Sequence, residues 1–417
     1  MNQTPRFSTA FRCTLLVLTL GTVATACGDT DTHPLSNQPF DAARQIVFNT
    51  PGGAVKADPD KPFEVTVKGD EGRITDVTVV DQTGHHLAGE LTADGSRWRS
   101  TAALAAGAKY TARVSTEGKE GAPGSRVLNF GTSPAQRLLT VEFGPDAGTY
   151  GVGQPIIATL SRPVKDKAAR AVVERALKID SKPVVDGAWH WIDSENLHFR
   201  PKEYWPAGAR VRAVSNLEGV RIDGQLHGGA AKDLNLTIGD RIEAITDASS
   251  HYMTVLRNGE VINTIPVTTG KPGFSTRNGI KVVLGKEYFV RMRGTSVGIA
   301  ANSSEGYDLP VYYATRVTWS GEYVHAAPWS VGSHGYANVS HGCTGMSTGN
   351  AAWFYETVKE GDIVSVVNSY GDEMDPFGNG YGDWNLSWAD WRQGSALVAG
   401  TRDGSSATDV ARLRPQV

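Results

Sequence analysis

Chemistry in this chain concentrates in two short stretches, Tyr323-Val324-His325-Ala326-Ala327-Pro328-Trp329 and Ser340-His341-Gly342-Cys343. Cys13 and Cys27 fall in an N-terminal export segment, so Cys343 is the one thiol left for the folded part. A lone thiol in an exported chain has no intramolecular disulfide partner. Its uses are nucleophile, metal ligand or core filler. A histidine within hydrogen-bond reach activates a thiol by forming a thiolate–imidazolium ion pair, and His325 is the candidate base. His341, two residues before Cys343, reads as positioning the loop or the substrate rather than as the base. Gly342 permits a tight backbone, and the amides of Gly342 and Cys343 are candidate donors to an oxyanion formed in acyl transfer. A helix expected shortly after Cys343 would favour the thiolate through its dipole. Zinc is the rival reading: His325, His334, His341 and Cys343 could supply ligands. No acidic residue lies between them, however, and their spacing follows no standard zinc pattern. His85, His86, His190 and His198 read as surface or turn residues without a chemical role.

These residues need a scaffold, and the chain is long enough for several domains. At 417 residues it exceeds one ordinary core. The net charge of -3 is scattered, which argues against a nucleic-acid partner. Gly 47 and Pro 20 beside 8% aromatics indicate many turns and short strands. Residues 1–27 read as an export signal: Arg6 and Arg12 precede the apolar run Thr14 to Ala26, which is too short to span a membrane. The run ends Val23-Ala24-Thr25-Ala26-Cys27, which suits a lipobox that lipidates Cys27, though the usual Leu is replaced by Ala24; ordinary cleavage after Ala26 is the alternative. Residues 28–48 read as a polar spacer off the membrane.

Residues 49–136 alternate apolar and polar positions in Phe63–Val67, Ile74–Val79, Tyr110–Val114 and Val127–Phe130, as in a sandwich with one buried face. A second copy spans 137–239: Leu104-Ala-Ala-Gly107-Ala-Lys-Tyr110 rhymes with Trp205-Pro-Ala-Gly208-Ala-Arg-Val211. A strand-rich repeat of roughly 100 residues predicts two tandem immunoglobulin-like sandwiches. The second carries a helix near Ala168–Leu177, and its aromatics read as core and inter-domain packing. From 240 to 368 the texture changes. Asn258-Gly259 predicts a hairpin, and Asn278-Gly279 repeats the signal. Ser347-Thr348 starts a helix running to about Glu360, with Ala351, Ala352, Tyr355 and Val358 as its stripe and Gly361 as its stop. A closing strand follows to Val367. Residues 369–401, with Trp384, Trp388 and Trp391, read as a C-terminal subdomain packed on the catalytic domain. Residues 402–417 read as a disordered tail.

The stretch from His325 through Ser340-His341-Gly342-Cys343 resembles the signature of the L,D-transpeptidase (YkuD) catalytic domain. Tyr323 to Gly332, Asn350-Ala-Ala-Trp353-Phe-Tyr355, Gly361-Asp362-Ile363-Val364 and Gly382-Asp383-Trp384-Asn385 extend the likeness to mycobacterial-type enzymes with tandem immunoglobulin-like domains. The resemblance implies a mostly β fold: two sandwiches, a β-rich catalytic domain with short helices, and a C-terminal extension. It also implies a reaction. The cysteine attacks a peptidoglycan stem tetrapeptide at its third residue, D-Ala leaves, and a diaminopimelate amine resolves the thioester into a 3→3 cross-link. Carried over by position, Cys343 is the nucleophile and His325 the base, with the Ala326 carbonyl orienting it. His341, Ser340, Gly342 and Trp329 flank the substrate, Tyr307 lines the cavity and assists the oxyanion, and Met292 sits at its mouth. The family's Asn two residues after the cysteine is Gly345 here, a change expected to remove a side-chain hydrogen bond and weaken acylation. No cofactor is implied, the partners are stem peptides as donor and acceptor, and a lipid-anchored extracytoplasmic monomer is expected. Two rivals stay open: hydrolysis of the same acyl-enzyme (an L,D-carboxypeptidase), and a non-catalytic cell-wall-binding protein.

Overall fold

Alternating burial builds the N-terminal half as two sandwiches. The structure is a computed structural model describing residues 42–398 except 51, 54, 70 and 71. The export segment with Cys27 and the tail 402–417 lie outside the described residues. In the first sandwich, strands Ile46–Phe48, Glu64–Val67, Arg97–Ser100 and Gly89–Leu91 form one antiparallel sheet in that order. Gly72–Asp81, Lys109–Gly118 and Pro123–Gly131 form the other. Along Lys109–Gly118 Tyr110, Ala112, Val114 and Thr116 turn inward at every second position, because successive strand side chains face opposite sides. Phe63 stacks on Phe130 at 4.7 Å in the core. Residues 42–48 correct the expected spacer: Ala42 and Ile46 are buried in this core, and Ile46–Phe48 pairs with Glu64–Val67. Apolar Ile46-Val-Phe48 has to be covered.

The second sandwich repeats the plan with two four-stranded sheets and a small three-stranded one. Gly107 and Gly208 both take positive φ, 70° and 77°, in the turns that launch Lys109–Gly118 and Arg210–Ser215. The repeat is thus one turn used twice, at a position where glycine carries no Cβ penalty. The helix runs Lys167–Ala176, capped by Asp166, which accepts from the Ala169 amide at 2.9 Å. His190 and His198 are partly buried strand residues at a domain junction rather than turn residues. His198 Nδ1 lies 2.7 Å from Asp383 Oδ1.

In the third domain, residues 240–368, the strands are β1 (Ile242–Asp247), β2 (Tyr252–Arg257), β3 (Glu260–Pro266), β4 (Gly279–Val282), β5 (Gly285–Arg293), β6 (Asp308–Arg316), β7 (Tyr323–Ala326), β8 (Thr344–Met346) and β9 (Ile363–Val367). One sheet has the order β3-β2-β1-β9-β4 and the other β5-β6-β7-β8. Asn258 (φ 52°) and Gly259 (φ 89°) make the expected hairpin turn between β2 and β3. The second Asn-Gly makes no hairpin. Gly279 opens β4, and the Asn278 side chain donates to the Ser369 and Gly371 carbonyls at 3.0 and 2.8 Å, so the same dipeptide anchors a distant segment. The helix runs Thr348–Thr357 with Ser347 as N-cap, shorter than expected. Its buried stripe is Ala351, Phe354 and, at the cap, Val358. Phe354 replaces the expected Ala352 and Tyr355. Gly361 lies beyond the helix and receives the second sandwich, with Gly153 N donating to its carbonyl at 2.9 Å.

The C-terminal segment corrects the expected packing, because it bridges two domains. Asn385 bonds both backbone groups of Ile280 in β4, at 2.7 and 2.8 Å. Its tryptophans face the second sandwich, where the Arg200 guanidinium sits over Trp384, Trp388 and Trp391 at 4.8, 5.5 and 4.7 Å. Trp384 Nε1 donates to Gly153 O, and Trp391 Nε1 to Ala188 O. Val282 and Ile363 of the third domain belong to the core of the second sandwich.

Candidate active site

Parallel pairing of β7 with β8 assembles the site. His325 stands opposite Gly345 in the register, and Cys343 immediately precedes β8. Parallel neighbours require a crossover, which here is the Ala327–Cys343 segment with its turn at Pro328–Ser333. The crossover brings residues separated in sequence onto adjacent strands roughly 4.8 Å apart.

His325, Cys343, His341, Gly342, Ser340, Trp329, Tyr307 and Met292 all line one cleft of about 930 Å³. Ala326 contributes from below: its carbonyl lies 2.8 Å from His325 Nδ1, which fixes the ring and leaves Nε2 to accept a proton. Trp329 covers the same imidazole, with ring centroids 6.0 Å apart.

The electrostatics differ from the expected ion pair. Burial drives the His325 imidazole down to about 4, against the lifting effect of the Ala326 carbonyl. Burial pushes the Cys343 thiol up to about 12, and the Glu322 carboxylate adds to the rise. The resting pair is therefore a thiol and a neutral imidazole, since desolvation disfavours both charged forms. The thiol donates to the Gly321 carbonyl at 3.5 Å, and a hydrogen bond from the Tyr323 backbone works against the rise. The helix dipole does not reach the sulfur, because β8 intervenes between Cys343 and the Ser347 cap. Four residues of strand are roughly 13 Å, and the dipole acts within the first turn.

Two further expectations change. Ser340-His341-Gly342 is bent, with Gly342 at φ 123°, and His341 lines the same cleft as Cys343. The Gly342 amide donates to Ser340 Oγ at 3.1 Å, and Ser340 Oγ donates to the Cys343 carbonyl at 2.6 Å. Gly342 is thus committed to holding the turn and is not a free oxyanion donor. Gly345 leaves no space for the family's asparagine. A Cβ there would meet Ala327 Cβ at 2.9 Å and Thr268 Cγ2 at 3.1 Å. The four zinc candidates do not converge: His334 Nε2 lies 3.3 Å from Ser330 Oγ, and His341 Nε2 lies 2.7 Å from Glu305 Oε2. Among the described residues no three His, Cys, Asp or Glu side chains group as a metal site.

Sequence reading missed two charged clusters. His341 is held by Glu305, which also pairs with Lys271, while its ring contacts Phe274 and Tyr307 at 4.7 and 5.0 Å. In the second cluster Lys281 is 1% exposed, with its ammonium 2.6 Å from Glu322 Oε2, and Arg277 Nη1 lies 3.1 Å from Glu322 Oε1. The available signal was a lysine inside Ile280-Lys281-Val282-Val283 and a glutamate before Tyr323-Val324-His325. A charge at a core position requires a partner.

Comparison with known proteins agrees with this architecture. Residues 241–366 match the family described as L,D-transpeptidase catalytic domain, and residues 54–221 match the bacterial Ig domain. L,D-transpeptidase 2 of Mycobacterium tuberculosis (strain CDC 1551 / Oshkosh) is 38% identical over 353 residues, covering 84% of this chain and 85% of the relative. L,D-transpeptidase 1 of Mycobacterium tuberculosis (strain ATCC 25618 / H37Rv) is 42% identical over 222 residues, 53% of this chain and 82% of that one. A solved L,D-transpeptidase in complex with imipenem shares 40% identity, covering 55% of this chain and 99% of the other, at a TM-score of 0.47. A histidine on one strand and a cysteine just before its parallel neighbour, two immunoglobulin-like modules before them and a relative matched along most of both chains place this chain in the L,D-transpeptidase family.

Proposed function

We propose that the chain forms 3→3 peptidoglycan cross-links through a Cys343 thioester. The observation that carries the reading is the ring of His325, pinned by the Ala326 carbonyl on the strand beside Cys343 and facing the same cleft. His325 Nε2 takes the thiol proton as Sγ attacks the carbonyl carbon of the third stem residue. The resulting oxyanion is met by the Cys343 amide and the Tyr307 hydroxyl, Gly342 being committed elsewhere. The imidazolium then gives its proton to the D-Ala nitrogen, the C–N bond breaks, and the thioester remains. A neutral diaminopimelate amine attacks that thioester, its proton passes to His325, and the sulfur leaves and is reprotonated. An imidazole held near 4 stays unprotonated at neutral pH, as a general base must. His341, fixed by Glu305, borders the donor, and Met292 and Trp329 close its flanks. The cleft serves stem peptides outside the cytoplasm, the sandwiches act as a stalk, and Cys27 carries a lipid anchor.

Mass spectrometry of purified protein incubated with a disaccharide-tetrapeptide tests this. Cross-linked dimer is expected, together with a covalent adduct that Cys343→Ala abolishes. Shortened tripeptide without dimer would assign the carboxypeptidase activity instead. Neither product nor adduct would leave a wall-binding protein.

A further inference from the structure

The Arg277–Glu322–Lys281 cluster lies on the Cys343 cleft, and the reaction above gives it no role. Arg277 lines the cleft beside Gly321, the residue whose carbonyl accepts the Cys343 thiol. Its Nη1 reaches Glu322 Oε1 at 3.1 Å and Ser320 Oγ at 3.5 Å. Nε and Nη2 have no hydrogen-bond partner among the described residues, and the side chain is 38% exposed. The other oxygen of Glu322 is 2.6 Å from the buried Lys281 Nζ. Burial lowers the Lys281 pKa and Glu322 opposes that fall, so Glu322 is shared between two basic groups while, among the described residues, the Nε–H and Nη2–H groups of Arg277 stay unpaired at the cleft. Asp372 lines the same cleft but forms no ion pair with Arg277 among the described residues. Lys271 is paired with Glu305, and Met292, Leu309 and Val311 of the cleft lining are apolar.

We propose that Arg277 forms a carboxylate subsite that holds the terminal carboxylate of the leaving D-alanine. The proposal rests on the donor reaction above. In that donor the terminal carboxylate lies one residue beyond the attacked carbonyl, roughly 3.8 Å along the chain, on a substrate centred at Cys343. A guanidinium with adjacent Nε–H and Nη2–H groups matches a carboxylate in two-point geometry. The subsite selects stems that end with a free carboxylate at the fourth residue. It also orients the leaving nitrogen toward the imidazolium that must protonate it.

The test compares two donors, a tetrapeptide stem with a free terminal carboxylate and the same stem as its primary amide. Wild type is expected to favour the carboxylate by about tenfold or more in kcat/KM, the usual strength of a charged hydrogen bond. Arg277→Gln is expected to bring that ratio near one, mostly through KM, and Arg277→Lys to restore part of it. A second readout needs no turnover: the ratio of Cys343 alkylation by anionic iodoacetate to that by neutral iodoacetamide. That ratio falls in Arg277→Gln if Arg277 attracts carboxylates to the sulfur. Unchanged ratios in both assays overturn the subsite. Wild type that alkylates with the charge preference but turns over neither stem overturns the donor reaction and leaves the subsite standing.

Discussion

Alkylation of Cys343 by iodoacetamide is expected to accelerate about a hundredfold between pH 7 and pH 9. The magnitude follows from burial. With the thiol pushed to about 12 and His325 held near 4, neither proton moves in the resting enzyme across this range. Only the thiolate reacts. Its fraction at pH 7 is on the order of 10⁻⁵ and rises tenfold per pH unit. A preformed thiolate–imidazolium pair would instead react at a constant rate above mildly acidic pH, with a thiolate fraction at pH 7 about five orders of magnitude larger. The assay is intact-mass quantification of the adduct at timed intervals from pH 6 to pH 10, with Cys343→Ser as the blank. His325→Ala is expected to keep the slope while sharply slowing acylation by the donor stem, because the imidazole acts when sulfur attacks. A flat rate between pH 7 and 9, or a slope that disappears with His325, would refute the neutral pair and restore the ion pair.

Acid should weaken the fold through His325. Its folded value of about 4 lies below the ordinary 6.5, so the unfolded chain binds the proton first; the stability is whole above about 6.5 and is lost as pH falls toward 4, by about 3 kcal/mol. Urea midpoints at pH 7 and pH 4.5 should diverge in wild type and converge in His325→Gln. Lys281→Met should destabilise the catalytic domain by about 1–3 kcal/mol by leaving Glu322 Oε2 without its cation while Arg277 still holds Oε1, and Lys281→Met with Glu322→Leu should recover part of it. A single-variant loss below about 1 kcal/mol in equilibrium denaturation would show that the carboxylate finds water. Gly345→Asn should destabilise by about 1–3 kcal/mol and slow acylation, because its Cβ meets Ala327 and Thr268; faster stopped-flow acylation would show that β8 yields and restores the family's amide.

Local patterns carried much of the architecture. The alternation in Lys109–Gly118, the Asn258-Gly259 turn and the Ser347 cap each depend on a few neighbouring residues, so they are readable in one dimension. His325 and Cys343 were legible because their residue types and spacing are a motif. Other features belonged to tertiary structure because they arise between distant segments. Asn278-Gly279 looks like a hairpin until the C-terminal segment bonds to it. Trp384, Trp388 and Trp391 find Arg200 on the second sandwich only when the two domains dock. Lys281 and Glu322 meet because β4 and the start of β7 converge beneath the cleft. The protonation states of Cys343 and His325 were the least accessible. Sequence names an acid and a base, but desolvation decides whether either carries charge, and desolvation is a property of the packed volume around them.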